Sequence, residues 1–270
     1  MARFHVDRVR LIEKIAGREV VDEDGVPVDG AMPFRANSFV YLYRDPAPEP
    51  RVPFEIDVLF RDEHLLVADK PHFLSSLPNG SYIVESAVVR LRRQFDLPDL
   101  SPMHRLDRIT AGVLLFSLQP AERGAYQTMF ARREVRKSYL AVAGFRPDLE
   151  LPLTVRSRIV KDRGTPTAYE TEGEANSETR IELVQTRGDR ALYRLDPTTG
   201  KTHQLRVHLN SLGIPILNDP FYPRLLDIPH DDYAKPLQLL ASSISFTDPV
   251  TGAARRFESK RRLESWPPSL

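Results

Sequence analysis

The sequence predicts an α+β fold: a mixed, largely antiparallel sheet flanked by helices and loops, with a small N-terminal appendage. Strand-like and helix-like stretches follow one another without the regular alternation of a doubly wound parallel sheet. The run Val113-Leu114-Leu115-Phe116-Ser117 is short, apolar and preceded by charged residues, the pattern of a buried strand. A length of 270 residues accommodates one large domain with a small one attached.

Residues 1–45 read as the small module. Val9, Ile12, Ile15 and Ala16 fall on one face of a short helix. Glu19 to Val21 and Val26 to Val28 flank the turn Asp22-Glu23-Asp24-Gly25 as a hairpin, and Ser38 to Tyr43 alternates as a strand. Prolines 46, 48, 50 and 53 then space an extended stretch, because proline fixes its own backbone and biases its predecessor away from helix. Residues 46–53 are therefore expected to be a linker, and 54–270 the main domain.

In that domain Val58 to Phe60 and Leu65 to Asp69 form two strands around the turn Arg61-Asp62-Glu63-His64. A helix over 84–95 places Val84, Ala87, Val88 and Leu91 on one face and its arginines on the other. Pro120 suits the first turn of a second helix, whose apolar stripe is Ala125, Tyr126, Met129 and Phe130. Strands are expected at 138–142, 167–171, 179–185 and 191–195. A helix from Thr202 to Leu212 stops at Gly213. Gln238 to Phe246 reads as a strand, and the turn Asp248 to Gly252 leads into a closing hairpin through Phe257.

The chemistry concentrates at His104-Arg105-Leu106-Asp107-Arg108, directly ahead of the buried run. Neighbouring arginines favour the charged form of Asp107, and an ionised carboxylate serves as nucleophile or general base. Gly200-Lys201-Thr202 resembles the end of a phosphate-binding loop, but Leu195 stands where that loop needs a glycine. His203 and His208 lie five apart, on different helix faces, so no metal is expected. With no cysteine, thiolate metal sites and disulfides are excluded.

Four stretches carry a resemblance. HRLDRITAGVLLFS at 104–117 is similar to the central motif of the RluA-type pseudouridine synthases, which isomerise uridine within ribosomal or transfer RNA. RDEHLLVADKP at 61–71, VRKSYLAV at 135–142 and TTGKTHQLRVHLNSLGIPILNDPFY at 198–222 follow in the family's order. The resemblance implies the pseudouridine synthase fold over 54–270 and a cofactor-free isomerisation in which the target base is flipped into a pocket. It implies Asp107 as the reacting carboxylate, Tyr139 stacked on the uracil, Arg206 paired with Asp107, and Leu240 as an apolar wall. It implies RNA contacts from Arg105, which fills the vacated stack, and from His104, Lys70, Lys137, Lys201 and His203. The 72–76 stretch departs from the family's commoner glycine-containing loop, and residues 1–45 resemble only the latter part of a ribosomal-protein-type RNA-binding module.

The net charge of +1 does not itself announce a nucleic acid, but arginines and lysines cluster at 90–93, 132–137 and 255–262. No apolar run is long enough to cross a bilayer and the first ten residues lack a secretory core, so a cytoplasmic, membrane-free monomer is expected. Ribosomal RNA is the expected partner, with transfer RNA the alternative. A non-catalytic RNA-binding or ribosome-assembly factor on the same fold would be expected to lack Asp107, Tyr139 or Arg206.

Overall fold

The computed structural model describes residues 8–42, 49–80, 82–229 and 231–267. The chain divides into two compact units, Met1–Pro48 and Glu49–Leu270. In the first, α1 (Arg8–Ala16) precedes the two-stranded pair β1 (Val20–Val21) and β2 (Tyr41–Leu42). Asp22 Oδ1 accepts from the Asp24 and Val26 N–H groups and closes the tight turn. Of the strand expected at 38–43 only Tyr41 and Leu42 pair. Phe39 and Val40 are exposed, with no second layer to hold them among the described residues of this unit, and Tyr43 lies outside the described residues.

The second unit carries β3 (Asp57–Arg61), β4 (Leu65–Lys70), α2 (Ala87–Phe95), β5 (Ser101–Pro102), β6 (Ala111–Ser117), α3 (Arg123–Ala131) and β7 (Arg136–Gly144). There follow β8 (Leu153–Val160), β9 (Tyr169–Thr171), β10 (Ser177–Arg187), β11 (Arg190–Pro197), α4 (Gln204–Ser211), β12 (Leu239–Thr247) and β13 (Ala254–Glu258). Among the described residues eleven strands make one sheet, in the order β3-β4-β6-β12-β7-β11-β10-β8-β9, with β5 on β6 and β13 on β12. Its one parallel pair in that description is β6 with β12, where Ala111 faces Leu240 and Gly112 faces Ala241.

The central strands are buried on both faces, which is why they read as continuous apolar runs. Leu66, Ala68, Leu114 and Phe116 pack into one cluster with Ala87, Val88 and Leu91 of α2. Leu65, Val67, Val113 and Leu115 pack into another with Tyr126 and Met129 of α3. The strand β8 is absent from the sequence expectation, although Leu153, Val155 and Ile159 alternate with Thr154, Arg156 and Arg158 across it.

Two boundaries move. Residues 46–48 of the expected linker lie outside the described residues, and from Glu49 onward the chain is docked on the main unit. Val52 is fully buried, and Glu49 accepts from the N–H groups of Ile83, Val84 and Glu85. Residues 49–53 thus form an extended strap against the core. The helix expected from Thr202 starts at Gln204, because His203 takes a left-handed backbone at φ 57°.

Candidate active site

The loop 103–110 reaches its place through bonds from a second loop, 70–76. Ser76 Oγ donates to Leu106 O at 2.8 Å and accepts from Leu106 N at 3.0 Å. His72 Nδ1 meets Ile109 O at 2.7 Å, and Lys70 Nζ donates to the carbonyls of Pro71, Leu74 and Arg108. The 70–76 loop keeps a left-handed residue without glycine: Phe73 has φ 66°. These contacts fix the backbone on both sides of Asp107, whose side chain is 23% exposed.

Arg206 projects from α4 and is 1% exposed. Its Nε and Nη2 donate to the two oxygens of Asp219 at 2.8 and 2.6 Å, and its Nη1 reaches Asp107 Oδ2 at 3.2 Å. Phe221 and Tyr222 lie against the guanidinium plane, with ring centroids at 4.8 and 5.3 Å. A buried arginine needs anions on its fork, and this one is held side-on by one carboxylate while presenting an N–H to the other. Burial works against its charge, and the bonds to Asp219 together with Asp107 outweigh that effect and raise its pKa.

A cavity of about 550 Å³ opens over this pair, within the range of small-ligand sites. Asp107, Arg206, His203 and Tyr139 line it together with Leu239 and Thr110. Burial, and then the negative charge of Asp107, raise the pKa of the Tyr139 phenol, which therefore stays protonated at neutral pH. Arg105 stands exposed at the rim without a hydrogen bond or ion pair among the described residues. Lys201 is exposed there too, and Lys137 Nζ donates to Thr199 O at 3.3 Å. Gln204 pins this 198–203 turn, accepting from Thr199 Oγ1 and Lys201 N and donating to Glu178 O and Thr179 Oγ1.

The model of the RNA pseudouridylate synthase family matches residues 64–211, more than half of the chain and the stretch that holds Asp107, Tyr139 and Arg206. The chain belongs to the RluA-type RNA pseudouridine synthases. The synthase is 32% identical to the dual-specificity RNA pseudouridine synthase RluA of Salmonella typhi, over 77% of this chain and 94% of that one. It is also 32% identical to an uncharacterized RNA pseudouridine synthase of Synechocystis, over 82% and 79%. In fold it is similar to human RNA pseudouridylate synthase domain containing 1, with a TM-score of 0.62 at 24% identity over 79% of this chain and 86% of that one.

Two expected contacts of the synthase, Lys70 and Leu240, fall elsewhere, and a third, His104, is neutral. Lys70 is fully buried, and burial draws its pKa well below the ordinary lysine value, so it braces the 103–110 loop instead of meeting a phosphate. His104 does line the cavity, where it accepts from Leu115 N through Nε2 and stacks on Phe130; burial, with Lys137 nearby, lowers its pKa to about 3, so it stands there as a neutral ring. Leu240 points away from the cavity into a cluster with Ala111, Val142 and Trp266, while its neighbour Leu239 lines the wall. Strand side chains alternate, so this one-residue slip changes the face. Sequence reasoning also missed Asp219, Ser76 and Gln204. Only Asp219 left a signal: a buried arginine demands a carboxylate, and Asp219 stands in a motif already matched.

Proposed function

We propose that the cavity takes up a single uridine flipped out of folded RNA, ribosomal RNA before transfer RNA, and that Asp107 is the carboxylate that acts on its sugar. The observation that carries the reading is the Asp219–Arg206–Asp107 relay, which holds a partly exposed carboxylate in the wall of the cavity. Extrusion of a stacked base costs a few kcal/mol, roughly, and cations at the mouth offset it through phosphate contacts. Arg105, free at the rim, is the side chain placed to enter the gap left in the stack. Tyr139 offers its ring to the uracil and, remaining protonated, a hydroxyl that exchanges a proton at the base. As nucleophile or as base toward the sugar, Asp107 is followed by cleavage of the glycosidic nitrogen–carbon bond, rotation of the uracil and closure through carbon 5, whose hydrogen leaves as a proton while the freed ring nitrogen takes one up. No redox step and no added cofactor enters this balance.

The test is release of tritium from RNA labelled at carbon 5 of uridine, with ribosomal and transfer RNA pools offered separately. Wild type is expected to release label, and Asp107→Asn to be slower by at least about a hundredfold while still binding RNA. Equal rates in the two proteins would remove Asp107 from the chemistry.

A further inference from the structure

His203 presents an unusual juxtaposition. Its ring lies flat on Phe221, with centroids 5.4 Å apart and planes 17° apart, and its Nδ1 is 3.0 Å from the Tyr222 hydroxyl. Tyr222 has one hydroxyl proton and donates it to Ala168 O at 2.7 Å, while its oxygen accepts from Ala168 N at 2.9 Å. The contact at Nδ1 is therefore made by a ring N–H, and Nε2 carries the lone pair. Burial, with a smaller opposing effect of Asp107, lowers the pKa of the imidazole to about 4 and keeps it neutral. Nε2 lies 3.8 Å from Asp107 Oδ2, on the cavity wall, and no donor reaches it among the described residues.

Two hydrogen-bond acceptors thus face one point beside the carboxylate, and the group that suits such a point is a hydroxyl. We propose that His203 Nε2 accepts a hydrogen bond from the 2′-hydroxyl of the target ribose, and so makes the site specific for RNA at the nucleotide that reacts. The inference rests on the proposed role of the cavity as the uridine site. Given that role, the carbon next to the one bearing the base carries the 2′-oxygen, so an acceptor packed against Asp107 meets that hydroxyl before any edge of the uracil. Deoxyribose carries only hydrogens at that carbon and leaves the lone pair unmet, so the contact rewards ribose alone.

The reacting uridine is first located by tritium release with wild type. Stem–loops carrying either pseudouridine or 2′-deoxypseudouridine at that position are then bound to wild type, His203→Asn and Tyr222→Phe, with affinity read by fluorescence anisotropy. These product forms do not turn over, and asparagine tolerates the left-handed backbone of residue 203. Wild type is expected to prefer the ribose form by about tenfold, the ordinary worth of one hydrogen bond. The preference should vanish in His203→Asn. It should shrink in Tyr222→Phe, which folds around the same rings but frees the tautomer. A preference that survives in His203→Asn, or that wild type never shows, overturns the proposal. If His203→Asn does not fold, the wild-type preference and its response to Tyr222→Phe decide alone: an unchanged preference in Tyr222→Phe then overturns it. Absence of tritium release by wild type overturns the underlying reading instead.

Discussion

At the scale of single residues, the site depends on charges that face one another out of water. Asp219 touches neither the cavity nor any reacting atom in this reading; it acts through Arg206. Asp219→Asn keeps the side-chain size and the acceptor for Phe221 N, but removes one of two anions from a buried guanidinium. Arg206 then turns toward Asp107 alone. The expected result is a tenfold to hundredfold drop in kcat, by rough estimate, with KM little changed, and the measurement is single-turnover tritium release. Buried histidines set the acid limit. His208 is fully buried between Thr179, Ser157 and Ser177 hydroxyls, and burial lowers its pKa from 6.5 to about 4. The unfolded chain takes up that proton first, so the stabilisation is complete above pH 6.5 and is lost as pH falls through the window from 6.5 toward 4. At about pH 5 this amounts to about 2 kcal/mol. Urea unfolding at neutral and acidic pH should show a shallower pH slope in His208→Gln than in wild type.

Elements were far more legible than the contacts between them. Periodicity identified α2, α3 and the central strands because each buries an apolar face whose spacing the sequence displays. The family resemblance placed Leu240 on the cavity wall, and the strand pattern could not correct it, since it tells which residues alternate but not which face meets the site. Motif resemblance likewise located Lys70 along the chain but not its full burial, which makes it a brace for the 103–110 loop. The loops show the same division. Nothing in Ser76 or His72 announces a partner some thirty residues ahead, because the two loops meet only once β4 and β6 have paired. Gly112 is the element-scale position where sequence and geometry agree most tightly. It has φ 115°, and a Cβ there would lie 2.2 Å from Ala241 O across the parallel pair. Gly112→Ala is expected to cost about 3 kcal/mol or more. Gly144→Ala, with open space around it, should stay within about 0.5 kcal/mol of wild type. Thermal melts of the two variants make the comparison.

For the whole molecule, the proline-spaced strap sets where a separable synthase domain begins. Composition suggested Phe54, yet Glu49 and Val52 already belong to the main unit. A chain starting at Glu49 is expected to unfold cooperatively on its own. One starting at Phe54 should be weaker by about 3 kcal/mol, from the lost burial of Val52 and the lost carboxylate bonds to the backbone of 83–85. Denaturant midpoints of the two truncated chains test this, and an equal midpoint would return residues 49–53 to the role of linker.

The parallel pairing of β6 with β12 also governs when the site comes into being during synthesis. Asp107 leads into β6, while Arg206 follows it 99 residues later in the chain. The strand that joins β6 to β7, and so brings Tyr139 beside Asp107, is β12, which starts only at Leu239. A growing chain therefore carries its carboxylate long before it can position it. Even with the 103–110 loop already folded, a nascent synthase stays inert toward the RNA around it until β12 has left the exit tunnel.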